Sequence, residues 1–251
     1  MGYPSLLLVH GAANGAWVWD AWRAALRPYG WEVNVLDLRG HGRSLPTDMN
    51  EVTMELYVAD VESVAGQIAA VQGKHPVVGG WSMGGLVSMM YAAKAEVPAL
   101  LLFAPSPPLE VQGKATLQEL RGTPLTPFGP EFYGLHIDDA EASRAAMPDL
   151  TDEEIARVLE RCAGATESGL ARRQRKSGIS VPSVNGPSLI VYGDQDAAIE
   201  PAHSRKVAAH LGGDSIMVPG AGHWGVVCSQ RIVEMVAPGV DNWLRRALED
   251  S

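Results

Sequence analysis

The sequence VVGGWSMGGL, from Val77 to Leu86, changes character around a single serine. A hydrophobic run stops, four glycines crowd around Ser82, and an apolar segment then resumes. Glycine has a conformational-entropy cost in regular structure, so a glycine cluster marks a backbone that bends sharply or passes close to another segment. The pattern predicts a strand that ends at a tight turn, with a helix after it and Ser82 held at the turn.

Short apolar runs bounded by glycine and proline recur along the chain on both sides of this turn. They predict strands at Ser5–Val9, Glu32–Leu36, Pro76–Gly79, Ala99–Phe103, Ser188–Tyr192 and Asp214–Val218. Apolar residues at helical spacing predict helices at Trp17–Arg27, Thr53–Val71 and Gly84–Ala95. Strands that are apolar throughout and alternate with helices are typical of a parallel sheet covered on both faces. We therefore predict an α/β fold with a doubly wound, mostly parallel sheet.

A different pattern occupies residues 107–183, between the fourth and fifth predicted strands. No strand is predicted there, and proline and glycine become more frequent. Thr151 and Glu154 have the spacing of a capping box, which predicts the start of a helix that continues over Ile155–Cys162. We interpret this region as a helical lid over one end of the sheet, inserted into a core domain formed by residues 1–106 and 184–251.

The composition is that of an ordinary globular protein with one large domain. The 251 residues are 46% hydrophobic and 20% charged, which is enough for a substantial core. The formal net charge of −9 argues against nucleic-acid binding, because nucleic-acid binders present basic patches. The short basic cluster Arg172–Lys176 is interpreted as the solvated face of a surface helix.

The N-terminus and the cysteines favour a cytoplasmic protein. Residues Met1 to Pro4 lack the basic and apolar segments of a signal peptide, and no stretch reaches the roughly 18 apolar residues that cross a membrane. Cys162 and Cys228 have no metal-ligand or CxxC spacing, so we expect free thiols in a reducing compartment. We predict no membrane association, no metal, no cofactor, and a monomer or homodimer.

The segment Gly80–Gly84 fits the pattern Gly-x-Ser-x-Gly of a nucleophile elbow. A serine on a strained turn between strand and helix projects its hydroxyl above the sheet, and its neighbours lack side chains so that other backbone segments can pass. A serine hydroxyl is a weak nucleophile, so it needs a base, and the base needs an orienting group. The candidate base is His223, in a small-residue loop after the last predicted strand.

Two aspartates after the fifth predicted strand, Asp194 and Asp196, are candidates for the orienting acid. The spacing from Gly193 to Asp196, with a proline shortly after, suits a loop that returns the Asp196 carboxylate toward His223. Asp194 lies next to the strand end, where it is better placed to tie the turn through backbone hydrogen bonds. We predict that Ser82, Asp196 and His223 are the catalytic residues, in the chain order expected for this architecture.

The loop after the first predicted strand, Val9–Trp17, is also rich in small residues. Such a loop supplies one backbone donor of an oxyanion hole, and the residue after the nucleophile supplies the other. We predict that the N–H groups of Ala12 and Met83 are these donors. We expect His10 to hydrogen-bond within the loop and fix its shape rather than to act as a catalyst.

These motifs together resemble those of the α/β-hydrolase superfamily. The resemblance covers residues 3–106 and 184–247, and rests on His10-Gly11, the Asp37–Ser44 turn, Gly80–Gly84, Gly193–Asp196 and Gly220–His223. The loop from His10 to Trp17 is also similar to that of plant methylesterases and hydroxynitrile lyases. The resemblance implies the Ser82–His223–Asp196 triad and hydrolysis through an acyl-enzyme. Members commonly have two or more strands before the His-Gly loop, so we expect this sheet to be shortened to about six parallel strands.

The leading functional hypothesis is a serine hydrolase that acts on a small carboxylic ester, thioester or lactone. Hydrolysis of a carbon–carbon bond beside a ketone uses the same triad, and the motifs do not separate the two reactions. A ligand-binding protein, or a catalyst without hydrolysis, in which the triad is vestigial is a further alternative, although three chemically intact triad residues argue against it. Ser82 excludes the nucleophilic aspartate that dehalogenase or epoxide chemistry requires.

Aromatic and apolar residues of the lid and of the catalytic loops are candidates for the substrate pocket. In the loops these are Trp81, Met83, Ile199 and Trp224, beside the predicted triad. In the lid they are Phe128, Phe132, Tyr133 and Leu135. The alternative role of the lid residues is to form the lid's own small core.

Overall fold

The computed structural model describes residues 3–249. Four residues of the predicted core domain lie outside the described residues: Met1, Gly2, Asp250 and Ser251. The prediction that the N-terminus is not a signal peptide rests partly on Met1 and Gly2, and that part also lies outside the described residues.

Within these residues, six parallel strands form one sheet in the order β2-β1-β3-β4-β5-β6. The strands are β1 Leu6–Val9, β2 Val33–Leu36, β3 Val77–Trp81, β4 Leu100–Phe103, β5 Ser188–Gly193 and β6 Asp214–Val218. The prediction of a shortened parallel sheet is confirmed. The main difference is at β3, which continues two residues beyond Gly79 because Trp81 still pairs with Phe103 of β4.

Helices connect the strands and cover both faces of the sheet. They are α1 Asp20–Leu26, α2 Met54–Gln72, α3 Met83–Ala92, α4 Leu109–Gln112, α5 Leu117–Arg121, α6 Ala140–Ser143, α7 Asp152–Cys162, α8 Gly169–Ser177, α9 Pro201–Leu211, α10 Gly225–Cys228 and α11 Gln230–Glu249. Short 3₁₀ turns lie at Ala16–Trp19, Arg27–Tyr29, Pro130–Tyr133 and Arg144–Ala146. None of the helices in the described part of the chain is long and apolar enough to cross a membrane.

Two hydrophobic cores lie on opposite faces of the sheet, because successive side chains of a strand point to opposite sides. In β1, Leu6 and Leu8 join the core beneath α1 and α11, whereas Leu7 and Val9 join the core beneath α2, α3 and α9. Burial on both faces explains why the strands are apolar throughout.

The strand order places the first loop beside the serine turn. After β1 the chain moves outward to β2, and after α2 it returns to β3 on the other side of β1. The carboxyl ends of β1 and β3 therefore flank a topological switch point, where ligands bind in open α/β sheets. The two segments are in close contact, since a Cβ added at Gly84 would collide with the backbone carbonyls of Val9 and His10.

Residues 107–183, the inserted segment, connect β4 to β5 through α4–α8 and contain one isolated bridge, between Phe128 and Glu167. The predicted capping box is confirmed at α7, where Glu154 N–H donates to Thr151 Oγ1 over 3.2 Å and Thr151 N–H donates to the Glu154 carboxylate over 2.9 Å. Apolar side chains of this segment, including Ile155, belong to the same core as the strands. The inserted segment is thus packed onto the sheet rather than around a core of its own.

Candidate active site

Ser82 occupies a strained backbone conformation between β3 and α3, with φ 54° and ψ −118°. A non-glycine residue in this region costs about 1–3 kcal/mol and persists only where surrounding contacts hold it. Two backbone hydrogen bonds do so here: Ser82 N–H donates to Phe103 O over 3.0 Å, and Ser106 N–H donates to Ser82 O over 2.8 Å. The half-buried serine side chain lines a cavity at this edge of the sheet.

The two outer glycines of the elbow are required by close packing. A Cβ at Gly80 would collide with the backbone of Gly84, at the start of α3. A Cβ at Gly84 would collide with the end of β1, as described above. The sequence Gly-x-Ser-x-Gly is therefore needed for a helix to begin directly over the end of its strand.

His223 and Asp196 form a close pair behind the cavity. His223 Nδ1 lies 2.8 Å from Asp196 Oδ2, and Asp196 is only 3% exposed. The other carboxylate oxygen, Oδ1, accepts the N–H groups of Ala198 and Ile199 over 2.9 and 2.8 Å. With Nδ1–H donating to the carboxylate, Nε2 is the ring nitrogen left to accept a proton. His223 is among the residues that line the cavity.

Asp194 has a different environment from Asp196. Its carboxylate accepts the N–H of Gly220 over 2.7 Å, and its own N–H donates to Val218 O over 3.2 Å. Asp194 therefore ties the end of β5 to the loop after β6. It forms no hydrogen bond with His223 in the part of the chain that the structure describes.

The loop after β1 carries the predicted oxyanion donor Ala12, which lines the cavity, and α3 begins at the other predicted donor, Met83. Neither backbone N–H donates a hydrogen bond within residues 3–249. The fully buried His10 shapes this loop: Nδ1 donates to Gly11 O over 2.7 Å, and Nε2 accepts the N–H of Leu38 over 3.1 Å. Burial, with the nearby His41 ring, lowers the pKa of His10 to about 4, so the ring is neutral.

The cavity has a volume of about 760 Å³ and is lined by the loops that carry Ser82, Asp196 and His223 and by the inserted segment. Most of the predicted pocket residues line it, namely Trp81, Phe132, Tyr133, Leu135, Ile199 and Trp224. Met83, which is fully buried at the start of α3, is not on the cavity wall, and neither is Phe128. Phe128 packs behind the wall against the rings of Phe132 and Tyr133, at centroid distances of 4.7 and 5.8 Å, so its role agrees with the alternative of an internal lid contact.

A buried carboxylate that the sequence analysis missed, Glu167, connects the inserted segment to the loop after β1. It accepts the N–H of Ala13 over 3.2 Å, the hydroxyl of Tyr57 over 2.7 Å and the N–H of Ser168 over 2.8 Å. The His41 imidazole lies 3.6 Å away. Burial favours a raised pKa for Glu167, but the neighbouring His41 imidazole outweighs it and lowers the pKa to about 2.

A second carboxylate of the inserted segment, Asp149, contacts the loop that carries His223. Gly222 N–H donates to Asp149 Oδ2 over 2.5 Å, and a Cβ at Gly225 would collide with the same carboxylate. Burial raises the pKa of Asp149. The sequence around Asp149 and around Glu167 contains no motif. Only the fold brings these carboxylates to the loops that carry Gly222 and Ala13.

The basic cluster Arg172–Lys176 corrects one interpretation made from the sequence. Arg175 is only 5% exposed, Arg172 is half-buried, and both line the cavity, so this face of α8 is not solvated. The sequence did contain one signal of this arrangement: Arg172 and Arg175 are three residues apart, which places their side chains on one face of a helix. No group of histidine, cysteine, aspartate and glutamate side chains able to hold a metal ion is present among the described residues.

Comparison with known proteins places this geometry in a family. A sequence model of the Alpha/beta hydrolase family matches residues 6–235. Protein phosphatase methylesterase 1 of Mus musculus is 34% identical over 102 residues, which are 39% of this chain and 26% of that protein. The chain thus spans about a quarter of the length of that relative.

Two further likenesses extend over most of the chain. The pimeloyl-[acyl-carrier protein] methyl ester esterase of Vibrio atlanticus (strain LGP32) is 28% identical over 228 residues, which cover 83% of this chain and 81% of that protein. The structure of a thermophilic esterase from Thermogutta terrifontis superimposes with a TM-score of 0.72 at 21% identity, covering 98% of this chain and 90% of the other, which shows a shared fold. Since the family match spans nearly the whole chain, the protein belongs to the Alpha/beta hydrolase family.

Proposed function

We propose that the protein is a serine hydrolase that cleaves a small-molecule carboxylic ester, thioester or lactone through an acyl-enzyme on Ser82. Family membership and the ester hydrolases among its relatives support the general statement, an ester hydrolase. The observation that carries the specific proposal is the convergence of Ser82 and His223 on one cavity, with buried Asp196 2.8 Å behind the histidine.

The proposed reaction begins with attack of Ser82 Oγ on the substrate carbonyl carbon. The hydroxyl proton passes to His223 Nε2, and Asp196 stabilises the resulting imidazolium through Nδ1–H. The N–H groups of Ala12 and Met83 stabilise the oxyanion of the tetrahedral intermediate. Collapse expels the alcohol, which takes the proton from His223, and leaves an ester bond between Ser82 and the acyl group. A water molecule, deprotonated by His223, then releases the carboxylic acid and restores the Ser82 hydroxyl.

The inserted segment is proposed to act as a lid that selects substrates. It supplies Phe132, Tyr133 and Leu135 to the cavity wall opposite the catalytic loops. Cleavage of a carbon–carbon bond beside a ketone would use the same three residues, but the named activities of the relatives favour ester cleavage. Comparing ester and β-diketone substrates on one enzyme preparation separates these two reactions.

The test of the nucleophile is covalent labelling combined with turnover. A fluorophosphonate should form one adduct, which peptide mapping should locate at Ser82, and Ser82→Ala should abolish both labelling and hydrolysis of p-nitrophenyl acetate. Ser106→Ala is the matched control, because Ser106 is a second serine on the cavity wall and its variant should still be labelled. An adduct elsewhere, or an active enzyme that resists labelling, contradicts the assignment. A folded protein that is neither labelled nor active favours the ligand-binding alternative.

A further inference from the structure

Two arginines face the cavity that Ser82 and His223 line. Arg172 and Arg175 lie three residues apart on α8, so they project from one face of the helix. Arg175 is almost completely buried and Arg172 is half-buried. Long cationic side chains are rarely buried unless a partner compensates the charge, which makes this pair unusual for a cavity wall.

The described protein residues compensate these two charges only in part, through the charge of Glu167 and through Tyr133. Neither arginine has a carboxylate within the 4.0 Å of an ion pair anywhere in residues 3–249. Arg175 donates one hydrogen bond from its guanidinium, to the Tyr133 hydroxyl over 3.1 Å. Arg172 donates none within the same residues and instead lies over the Phe132 ring, 5.7 Å from its centroid. The Nε atoms of both arginines are buried without a hydrogen-bond partner in the described structure.

The carboxylates in and beside the cavity wall form no ion pair with either arginine in the described chain. Glu167 is held by three hydrogen bonds and the His41 imidazole. Glu119, on the cavity wall, accepts the N–H and hydroxyl of Thr116 over 2.7 and 2.8 Å. Glu200 also lines the cavity but forms no ion pair with either arginine in the described chain. The proximity of the two cations has an electrostatic consequence: burial and then the charge of Arg175 lower the pKa of Arg172 to about 10.

We propose that the substrate carries a carboxylate at a distance from the scissile ester, as in the half-ester of a dicarboxylic acid, and that Arg172 and Arg175 bind this carboxylate. The inference rests on the proposed ester hydrolysis and adds the class of substrate. Guanidinium groups match the geometry of a carboxylate and bind it by charge-assisted hydrogen bonds. A cavity of about 760 Å³ accommodates both ends of such a molecule.

The apolar surroundings favour a carboxylate over a phosphate. Phe132 borders the cavity and its ring lies under the Arg172 guanidinium, so an anion bound by the arginines loses part of its hydration there. The cost of removing an ion from water rises with the square of its charge, and a phosphate monoester approaches a charge of −2 at neutral pH. A singly charged carboxylate therefore has the smaller desolvation penalty and still compensates the charges of Arg172 and Arg175.

The test compares matched anionic and neutral substrates. Monomethyl glutarate, adipate and pimelate, and the neutral methyl alkanoates of equal chain length, are assayed by acid release with the full-length protein. At least one half-ester should exceed its neutral match in kcat/KM by about 10-fold or more, since a hydrogen bond to a charged group is worth about 1.5–3 kcal/mol. Arg172→Gln should lower this ratio by about 10-fold, chiefly through KM, and Arg172→Lys should restore part of it.

The control is Arg173→Gln on the same helix. The Arg173 guanidinium donates to Leu120 O over 3.4 Å and is not on the cavity wall, so this variant should keep the ratio of the parent protein. Circular dichroism and fluorophosphonate labelling of Ser82 verify that each variant is folded with an accessible nucleophile. Arg175→Gln serves as a second variant wherever it passes the same checks.

Three results overturn the inference. Equal turnover of half-esters and neutral esters shows that the arginines do not select the substrate, and leaves the proposed hydrolase intact. A clear preference for a methyl ester with a terminal phosphate, assayed beside the half-ester of equal chain length, identifies a different anion. Absence of both ester hydrolysis and Ser82 labelling in folded protein removes the proposed function itself, and the inference with it.

Discussion

The sheet loops and the inserted segment both form the cavity, but they hold their functional groups in different ways. Ser82 is positioned by backbone hydrogen bonds to β4 and to the loop after it, and by glycines that allow close packing. The inserted segment acts through long side chains. Glu167 accepts a hydrogen bond from the loop after β1, and Asp149 accepts one from the loop after β6. Arg172 and Arg175 line the cavity.

This difference teaches that the reactive geometry and the charge of the cavity have separate structural origins. Backbone contacts within a few residues of a strand end need little from the rest of the chain. The charged side chains depend on partners that are distant in the sequence, 154 positions away for the contact between Glu167 and Ala13 and 73 for the contact between Asp149 and Gly222. Changes to the sheet loops should therefore affect the chemical step, and changes to the inserted segment should affect stability and substrate choice.

The largest expected effect breaks the orienting contact in the sheet loops. Asp196→Asn should lower kcat by about 10⁴-fold, because a triad histidine that loses its carboxylate adopts the wrong tautomer. Asp194→Asn is the matched control, since its carboxylate bonds Gly220 N–H instead of His223. It should chiefly lower the melting temperature. Initial rates with p-nitrophenyl acetate measure the first effect, and the opposite pattern in the two variants would show that Asp194 is the acid.

The second prediction concerns the buried, neutral His10 of the first loop. Its pKa is about 4 in the folded protein and about 6.5 when unfolded, so the unfolded chain binds the proton first as the pH falls. Because of His10, the free energy of unfolding should fall by about 3 kcal/mol as the pH is lowered from 6.5 to 4. Urea unfolding at several pH values across this range measures the slope of the free energy of unfolding against pH.

A matched pair of histidine variants isolates that contribution. His10→Asn should be less stable at neutral pH, but its stability should depend less on pH than that of the parent. His75→Asn, at an exposed position, should keep the parent's slope. Equal slopes in the two variants would mean that His10 does not titrate as its burial indicates.

The third and smallest effect tests the inserted segment. Glu167→Gln keeps the shape of the side chain but removes its charge, so His41 loses the carboxylate that raises its pKa. The free energy of unfolding should fall by about 1–3 kcal/mol, the range for a buried polar group that loses a partner. Denaturant unfolding at pH 7 measures this loss.

Glu160→Gln, on the exposed face of α7, is the control and should be close to neutral. If Glu167→Gln is equally neutral, the carboxylate is not a support for the first loop. If it instead abolishes labelling of Ser82 in folded protein, the separation between chemistry and stability drawn above is wrong.

The sequence predicted the sheet well because its signals are local. Six apolar runs and the glycines around Ser82 follow directly from burial on both faces and from steric contact at the turn. The extra residues of β3 were missed, because pairing of Trp81 depends on its neighbour Phe103. The end of α3 was also predicted incorrectly: the helix ends at Ala92 rather than at Ala95.

The inserted segment was harder to predict because its contacts are long-range. Nothing beside Glu167 in the sequence indicates that Tyr57 and Ala13 bind it. The arginines of α8 have the composition of a surface helix, and only the packing of the segment against the sheet buries them. Phe128 has the character of a pocket residue, yet two other aromatic rings lie between it and the cavity. The assignment of the catalytic residues themselves stays a prediction until they are tested.

The bond between Glu167 and the N–H of Ala13 has a consequence for protein engineering. A helical segment exchanged between two related enzymes is usually treated as an independent cassette that carries specificity alone. Here the cassette would also carry an anchor of the loop next to Ala12, and a donor segment without a carboxylate at this position would leave His41 buried without its counter-charge. A chimaera should therefore transfer the helices together with Glu167, or replace Tyr57 and His41 in the recipient at the same time.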